Sequence, residues 1–442
     1  MGREASPGGF AKLQITFSGC KGDRKAYRKE MTPTQPTRSS SGFLDRTRPP
    51  HVITLVLIAG LAAMSMNIFL PSMPSMAIFF EADYALIQLA VSAYLALTGL
   101  LNIVLGPLSD RYGRRNVLMG SMAVFCLASI GCMLSTSIEM FLACRMAQAV
   151  VASGMVLSRA IVRDMVSPDR AASMIAYVTM GMALVPMLAP VVGGLLEAQF
   201  GWQANFLAMA LSGAFVLWLT YADLAETNTA QTTSFKAQFA AYPELLRSRR
   251  FWGYTFVAGV TSGAFFAFLG GAPYVGSEIL GLSPRELGIY FGIIPTGYLI
   301  GNFFTGRFAS RLGIGFMILA GGFVATGGML LVLGLWLSGV QTAIAFFGGV
   351  FFVGLGNGLT MPSATSGLLS VKPELAGSAS GLGTATMIGL GALLSATAGA
   401  LLGPTTGAWP LILIMLACGV SGIILARYTN KVEAEEAANR TG

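Results

Sequence analysis

From residue 51 onward the chain alternates between long apolar runs and short polar punctuation. Most runs are about 20 residues long, the length needed to cross the hydrocarbon core of a bilayer as a helix. They predict helices over residues 51–70, 85–105, 116–134, 138–162, 167–196, 204–222, 251–275, 288–310, 313–336, 341–369, 375–402 and 407–426. The alternating pattern of barrel strands is not seen. The expected fold class is an all-α membrane protein with 12 transmembrane helices.

The punctuation adds detail. Pro71 and Pro74 are expected to fix the exit of the first span. Ser167-Pro168-Asp169 reads as a helix start, with a capping hydroxyl, a proline at the first helical position and then an acid; Pro373 opens the eleventh span in the same way. Residues 223–250 form the only long interior connection and divide the chain into halves at 51–222 and 251–427. Residues 1–50, rich in Gly, Ser, Thr, Pro and basic side chains, read as a disordered cytoplasmic tail, with Met31 as an alternative start. Residues 428–442 read as a second cytoplasmic tail.

One stretch stands out between the second and third spans. Gly106-Pro-Leu-Ser-Asp110-Arg111-Tyr-Gly113-Arg114-Arg115 sets three arginines around a carboxylate and reads as a charged, water-facing turn with glycines at both ends. A thinner copy follows at Asn302-Phe-Phe-Thr-Gly306-Arg307-Phe-Ala-Ser310-Arg311-Leu-Gly313. Aligned on Asn102 to Gly113, it repeats Asn, Gly, Arg and Gly at the same offsets, which predicts two pseudo-symmetric six-helix halves.

Composition narrows the class. The chain has 442 residues, 54% hydrophobic and 11% charged, against about 25% charged in soluble proteins. The formal charge of +8 does not point to nucleic acid, because +6 of it lies in residues 1–50 and neither aromatic interleaving nor a Cys/His cluster accompanies it. With both termini inside, 25 of the 28 Lys and Arg residues fall on the cytoplasmic side, as the positive-inside rule requires. Of the five cysteines, Cys126, Cys132, Cys144 and Cys418 lie in apolar runs; no disulfide framework and no metal site are expected. The lone histidine, His51, excludes any mechanism that needs a histidine pair.

Twelve spans in two halves, with the charged motif between the second and third, resemble the major facilitator superfamily. Asn67-Ile-Phe-Leu-Pro71-Ser-Met-Pro74, Arg159-Ala-Ile-Val-Arg163-Asp164 and Pro186-Met-Leu-Ala-Pro190-Val-Val-Gly193-Gly194 resemble its Bcr/CflA drug-resistance branch. The resemblance implies a secondary transporter of the bacterial inner membrane, without cofactor, that exports drug-like or amphiphilic small molecules by proton antiport and alternating access. The expected partners are substrate, protons and the lipid bilayer, with a monomeric carrier. An uptake permease for a small polar metabolite and a membrane sensor are the alternatives; no catalytic constellation favours an enzyme.

Candidate residues follow. The resemblance implies a conformational latch of Gly106, Asp110, Arg111, Gly113, Arg114, Arg115 and Asp164, in which Asp110 meets the start of the eleventh span near Pro373 and a motif arginine reaches Asp164. For the substrate or proton pathway the candidates are Asn67, Tyr94, Asn102, Arg145, Gln148, Arg159 and Asn302. Arg145 sits about 10 Å inside the fourth span and needs a cavity or a partner, with Gln148 on the same face. Asn67 stands where the resemblance implies a titratable aspartate, and no acid falls in the middle of a predicted span. Pro71, Pro74, Pro186, Pro190, Gly193 and Gly194 are assigned to helix packing.

Overall fold

A backbone crossing lipid must satisfy its own N–H and C=O groups, and a helix does so within one segment. The structure, a computed structural model, describes residues 50–165, 168–227, 242–372 and 375–441. They belong to one compact unit that begins at Ser41; the other unit, Met1–Ser40, lies outside the described residues.

The helices are α1 (Val52–Asn67), α2 (Met73–Phe79), α3 (Tyr84–Tyr112), α4 (Arg114–Met133), α5 (Ile138–Gln148), α6 (Ser153–Met165), α7 (Pro168–Phe200) and α8 (Gln203–Asp223). After the central connection come α9 (Tyr242–Leu246), α10 (Arg249–Tyr274), α11 (Pro284–Phe291), α12 (Ile293–Leu312), α13 (Ile314–Leu337), α14 (Ala343–Ser370), α15 (Ala376–Leu401) and α16 (Trp409–Thr441). Among the described residues there is no strand, and eleven segments are long and apolar enough to cross a membrane. The span expected over 167–196 is α7, whose described apolar stretch is Leu184–Phe200. Ser167 and Pro373, the expected cap and opening proline, lie outside the described residues.

The punctuation differs from expectation in three places. Pro71 and Pro74 do not end the first span. They open a 3-10 turn at Leu70–Ser72 and then α2, where a missing N–H costs no helical bond, and the apolar segment continues to Phe79. The charged stretch is not a turn along its length: α3 runs through Gly106, Asp110 and Arg111 to Tyr112, and the chain reverses at Gly113, with φ +90°. The copy does the same at Gly313, φ +83°. In the third place, the last helix does not stop at the membrane edge but continues to Thr441.

Two seams join the first half to the second, α3 on α15 and α7 on α11. On α7 the paired glycines serve different neighbours. A Cβ at Gly193 would lie 1.7 Å from the Ile68 carbonyl oxygen, and one at Gly194 would lie 2.3 Å from that of Pro284 on α11. Across the same seam, a Cβ at Gly288 would lie 2.5 Å from the Pro190 carbonyl oxygen. Pro186 and Pro190 sit inside α7, so each leaves a carbonyl one turn back without its helical donor. Toward the end that carries Asp110, this seam widens into an apolar cleft of about 340 Å³ lined by Met187, Val191, Ile293 and Phe351, with Thr296 as its hydroxyl.

Candidate functional site

Arg145 lies at the centre of the first half. Its side chain is 0% exposed and sits between two rings, with the guanidinium carbon 4.0 Å from the Tyr94 centroid and 4.4 Å from that of Phe69. Nη2 donates to the Ser65 carbonyl (2.8 Å), Nε to the Ala90 carbonyl (3.1 Å), and Nη1 to Ser65 Oγ (3.0 Å) and Gln148 Oε1 (2.7 Å). Gln148 Nε2 passes the chain on to Ser129 Oγ at 2.7 Å. Four helices, α1, α3, α4 and α5, are thereby tied to one side chain. Among the described residues no carboxylate lies within ion-pair distance of it. Opposed π faces and carbonyl dipoles take the place of a counter-charge. The geometry is that of an interhelical strut.

The other pathway candidates are dispersed. Asn67 is buried and its amide donates to the Ala63 carbonyl at 2.7 Å, within its own helix. Asn302 does likewise to Tyr298 at 3.0 Å. Asn102 Oδ1 is buried without a hydrogen-bond partner. Tyr94 supports Arg145, its hydroxyl 3.4 Å from Ser65 Oγ. Arg159 is half-buried on α6. Tyr94 thus joins the Arg145 and Gln148 cluster, while Asn67 and Asn302 bond within their own helices.

The charged motif is a built cluster. Arg114 Nη2 is 2.9 Å from Asp110 Oδ1, Arg114 Nε is 2.5 Å from Asp164 Oδ2, and Nη1 donates to Ser109 Oγ at 2.9 Å. One guanidinium thus bridges α3 and α6. Arg115 turns the other way: its Nε donates to the Leu224 carbonyl at 2.9 Å, just past α8, and the guanidinium lies 5.4 Å from the Tyr221 ring. Arg111 is exposed and lies over Tyr112. Gly106 makes room for nothing nearby, since a Cβ there would meet no atom within 4 Å.

Two carboxylates in this region were not singled out from the sequence. Glu226 accepts the backbone N–H groups of Arg114 (2.8 Å) and Arg115 (3.2 Å), capping the start of α4 with a negative charge where the helix dipole favours one. Thr227, next in the chain, donates its hydroxyl to Asp164 Oδ2 at 3.4 Å. Asp223, 0% exposed at the end of α8, accepts the His51 N–H (2.9 Å) and the Thr54 hydroxyl (2.6 Å) at the start of α1. The only signal for either in the sequence is an acid just past the end of a span.

The second half has a parallel tie. Glu433 on α16 accepts from Arg250 Nη2 (2.7 Å) and the Tyr254 hydroxyl (2.9 Å) at the start of α10, and Arg250 also reaches Ser370 Oγ at 3.0 Å. Lys372 pairs with Glu244 nearby. Arg307, Ser310 and Arg311, the counterparts of the motif's charged residues, are exposed and stand outside this tie.

Comparison with known proteins agrees with this architecture. The sequence pattern of the Major Facilitator Superfamily matches residues 55–396. The uncharacterized MFS-type transporter YdgK of Bacillus subtilis is 34% identical over 260 residues, which is 58% of this chain and 65% of that protein. The chloramphenicol resistance protein of Pseudomonas aeruginosa is 29% identical over 339 residues, 76% of this chain and 79% of that one. The bicyclomycin resistance protein homolog of Haemophilus influenzae is 25% identical over 384 residues, 84% and 94%. Among solved structures, a D-xylose-proton symporter superposes with a TM-score of 0.68 at 15% identity, covering 86% of this chain and 96% of that one.

Proposed function

Since the chain belongs to the major facilitator superfamily, we propose that it is a bacterial inner-membrane exporter of drug-like, amphiphilic small molecules, working by alternating access in exchange for protons. Residues 51–222 and 251–427 are the two bodies that rock, 223–250 is the linker between them, and both termini are cytoplasmic. The carrier acts as a monomer. Relatives named for chloramphenicol and bicyclomycin resistance support the substrate class.

The observation that carries the mechanism is the distribution of contacts. A backbone-close seam of α7 on α11 joins the halves at the end of the bundle opposite Asp110, whereas the ion cluster of α3, α4 and α6 lies at the Asp110 end and wholly within the first half. An inter-half seam at one end and a rearrangeable ion cluster inside one half at the other give the two ends unlike contacts, which suits a carrier that opens them in turn. The apolar cleft beside α7, with a single hydroxyl, suits an apolar substrate better than a sugar or a peptide.

Susceptibility of a strain stripped of its own pumps tests the function. Expression of the chain is expected to raise the inhibitory concentration of chloramphenicol or bicyclomycin several-fold, and no shift across a broad drug panel would overturn the reading. Collapse of the proton gradient is expected to abolish efflux; efflux that continues unchanged would remove proton coupling from the proposal. Asp110, Arg114 and Asp164 act as the latch. The expected result for Asp110→Asn is normal insertion and folding with loss of export, and wild-type efflux from that variant would refute the latch.

A further inference from the structure

We propose that Gln88 is the positioning residue that bolts the two halves together at the end opposite Asp110, and so sets how often that end opens during transport. The inference rests on the alternating-access reading above. Gln88 lies in the second turn of α3 and is 1% exposed. Its Nε2 donates across the seam to the Ser395 carbonyl at 2.6 Å and to Ser395 Oγ at 2.8 Å, while Oε1 accepts the Ser92 hydroxyl at 3.3 Å. A glutamine amide has two N–H groups, and both are spent on the opposite half. One turn earlier on the same face of α3, the Tyr84 hydroxyl donates to the Gly270 carbonyl at 2.9 Å, and its ring lies 5.1 Å from that of Tyr274.

The space around the amide is matched to it. A Cβ at Gly270 would sit 2.3 Å from Gln88 Nε2, and a Cβ at Gly399 would sit 2.5 Å from Gln88 Cγ and Cδ. Both glycines are inside regular helices, α10 and α15, where alanine is the better helix former. At Gly399 the glutamine alone excludes a side chain, and at Gly270 it does so together with Ser395 Oγ, which a Cβ would approach to 2.6 Å. When this end opens, water takes over the partners of the amide, so the bolt biases a ratio of states and does not lock one of them. An alanine at Gly399 pushes the amide off Ser395 and favours the open state, as loss of the amide does.

The test is a distance measurement on the full chain in lipid nanodiscs, with the five native cysteines changed to serine. Spin labels at Thr136→Cys and Gln341→Cys, in exposed loops of the two halves, report opening by double electron–electron resonance without substrate. Gln88→Ala is expected to move the closed-to-open ratio about tenfold toward open, the scale of a lost buried hydrogen bond. Gln88→Glu, which keeps the size and lacks the N–H donors, is expected to do the same if alanine impairs folding. Gly399→Ala shifts the ratio in the same direction, and Gln88→Ala combined with Gly399→Ala shifts it no further than Gln88→Ala alone. Unchanged distances in both Gln88 variants, or additive shifts in the double variant, would overturn the bolt. In liposomes Gln88→Ala lowers kcat and leaves KM nearly unchanged. Should the wild-type chain move none of the drugs, the export reading falls, while the substrate-free distances still decide the bolt.

Discussion

Arg145 carries a full charge into the middle of a helix bundle and is stabilised there without a carboxylate among the described residues. A lysine at this position keeps the charge but loses the fork that reaches Ser65 and Ala90 together. Truncation is worse: two carbonyls and the Gln148 amide oxygen lose a buried donor, at about 1–3 kcal/mol each. Arg145→Ala is therefore expected to reduce the amount of folded protein in the membrane and to lower the melting temperature in detergent markedly. Arg145→Lys is expected to fall in between. If Arg145→Ala melts like the wild type and only transport is lost, Arg145 belongs to the translocation path and not to the scaffold.

At the scale of elements, the junction of α3 and α4 depends on one residue and one distant cap. Gly113 takes φ +90° with ψ 140°, a glycine-type region that costs an L-residue about 1–3 kcal/mol, and a Cβ there would meet Glu226 Oε2 at 2.4 Å. Gly113→Ala is expected to displace the Glu226 cap and slow export. Glu226→Ala removes the cap, for about 1 kcal/mol of stability, whereas Glu226→Gln keeps an acceptor and most of the activity. Equal export rates for Glu226→Ala and Glu226→Gln would refute a capping role. The sequence made the spans legible because lipid enforces a length and a composition on each of them. It could not say that Pro71 and Pro74 would sit inside a continuing segment, because a proline at a first helical position and a proline after a helix end look alike without their neighbours. Nor could it pair Glu226 with Arg114, or Gln88 with Ser395, since those contacts join residues 112 and 307 positions apart. The Arg114–Asp164 contact was legible only through family resemblance; no local spacing indicates it.

On the scale of the whole molecule, each half closes on itself. In the first, Asp223 ties the end of α8 to the start of α1; in the second, Glu433 ties α16 to the start of α10. The first and last spans of each half thus share a carboxylate, and the partners of each carboxylate named above come from its own half. Chain continuity through residues 223–250 is then expected to act as a tether and to contribute little to holding the halves together. Two polypeptides, residues 1–235 and 236–442, made in the same cell are expected to find each other in the bilayer and restore drug efflux, with each fragment alone inactive. Breaking a carboxylate tie with Asp223→Asn or Glu433→Gln is expected to damage the split pair more than the intact chain, because a separate fragment must hold its own ring closed until it meets the other half.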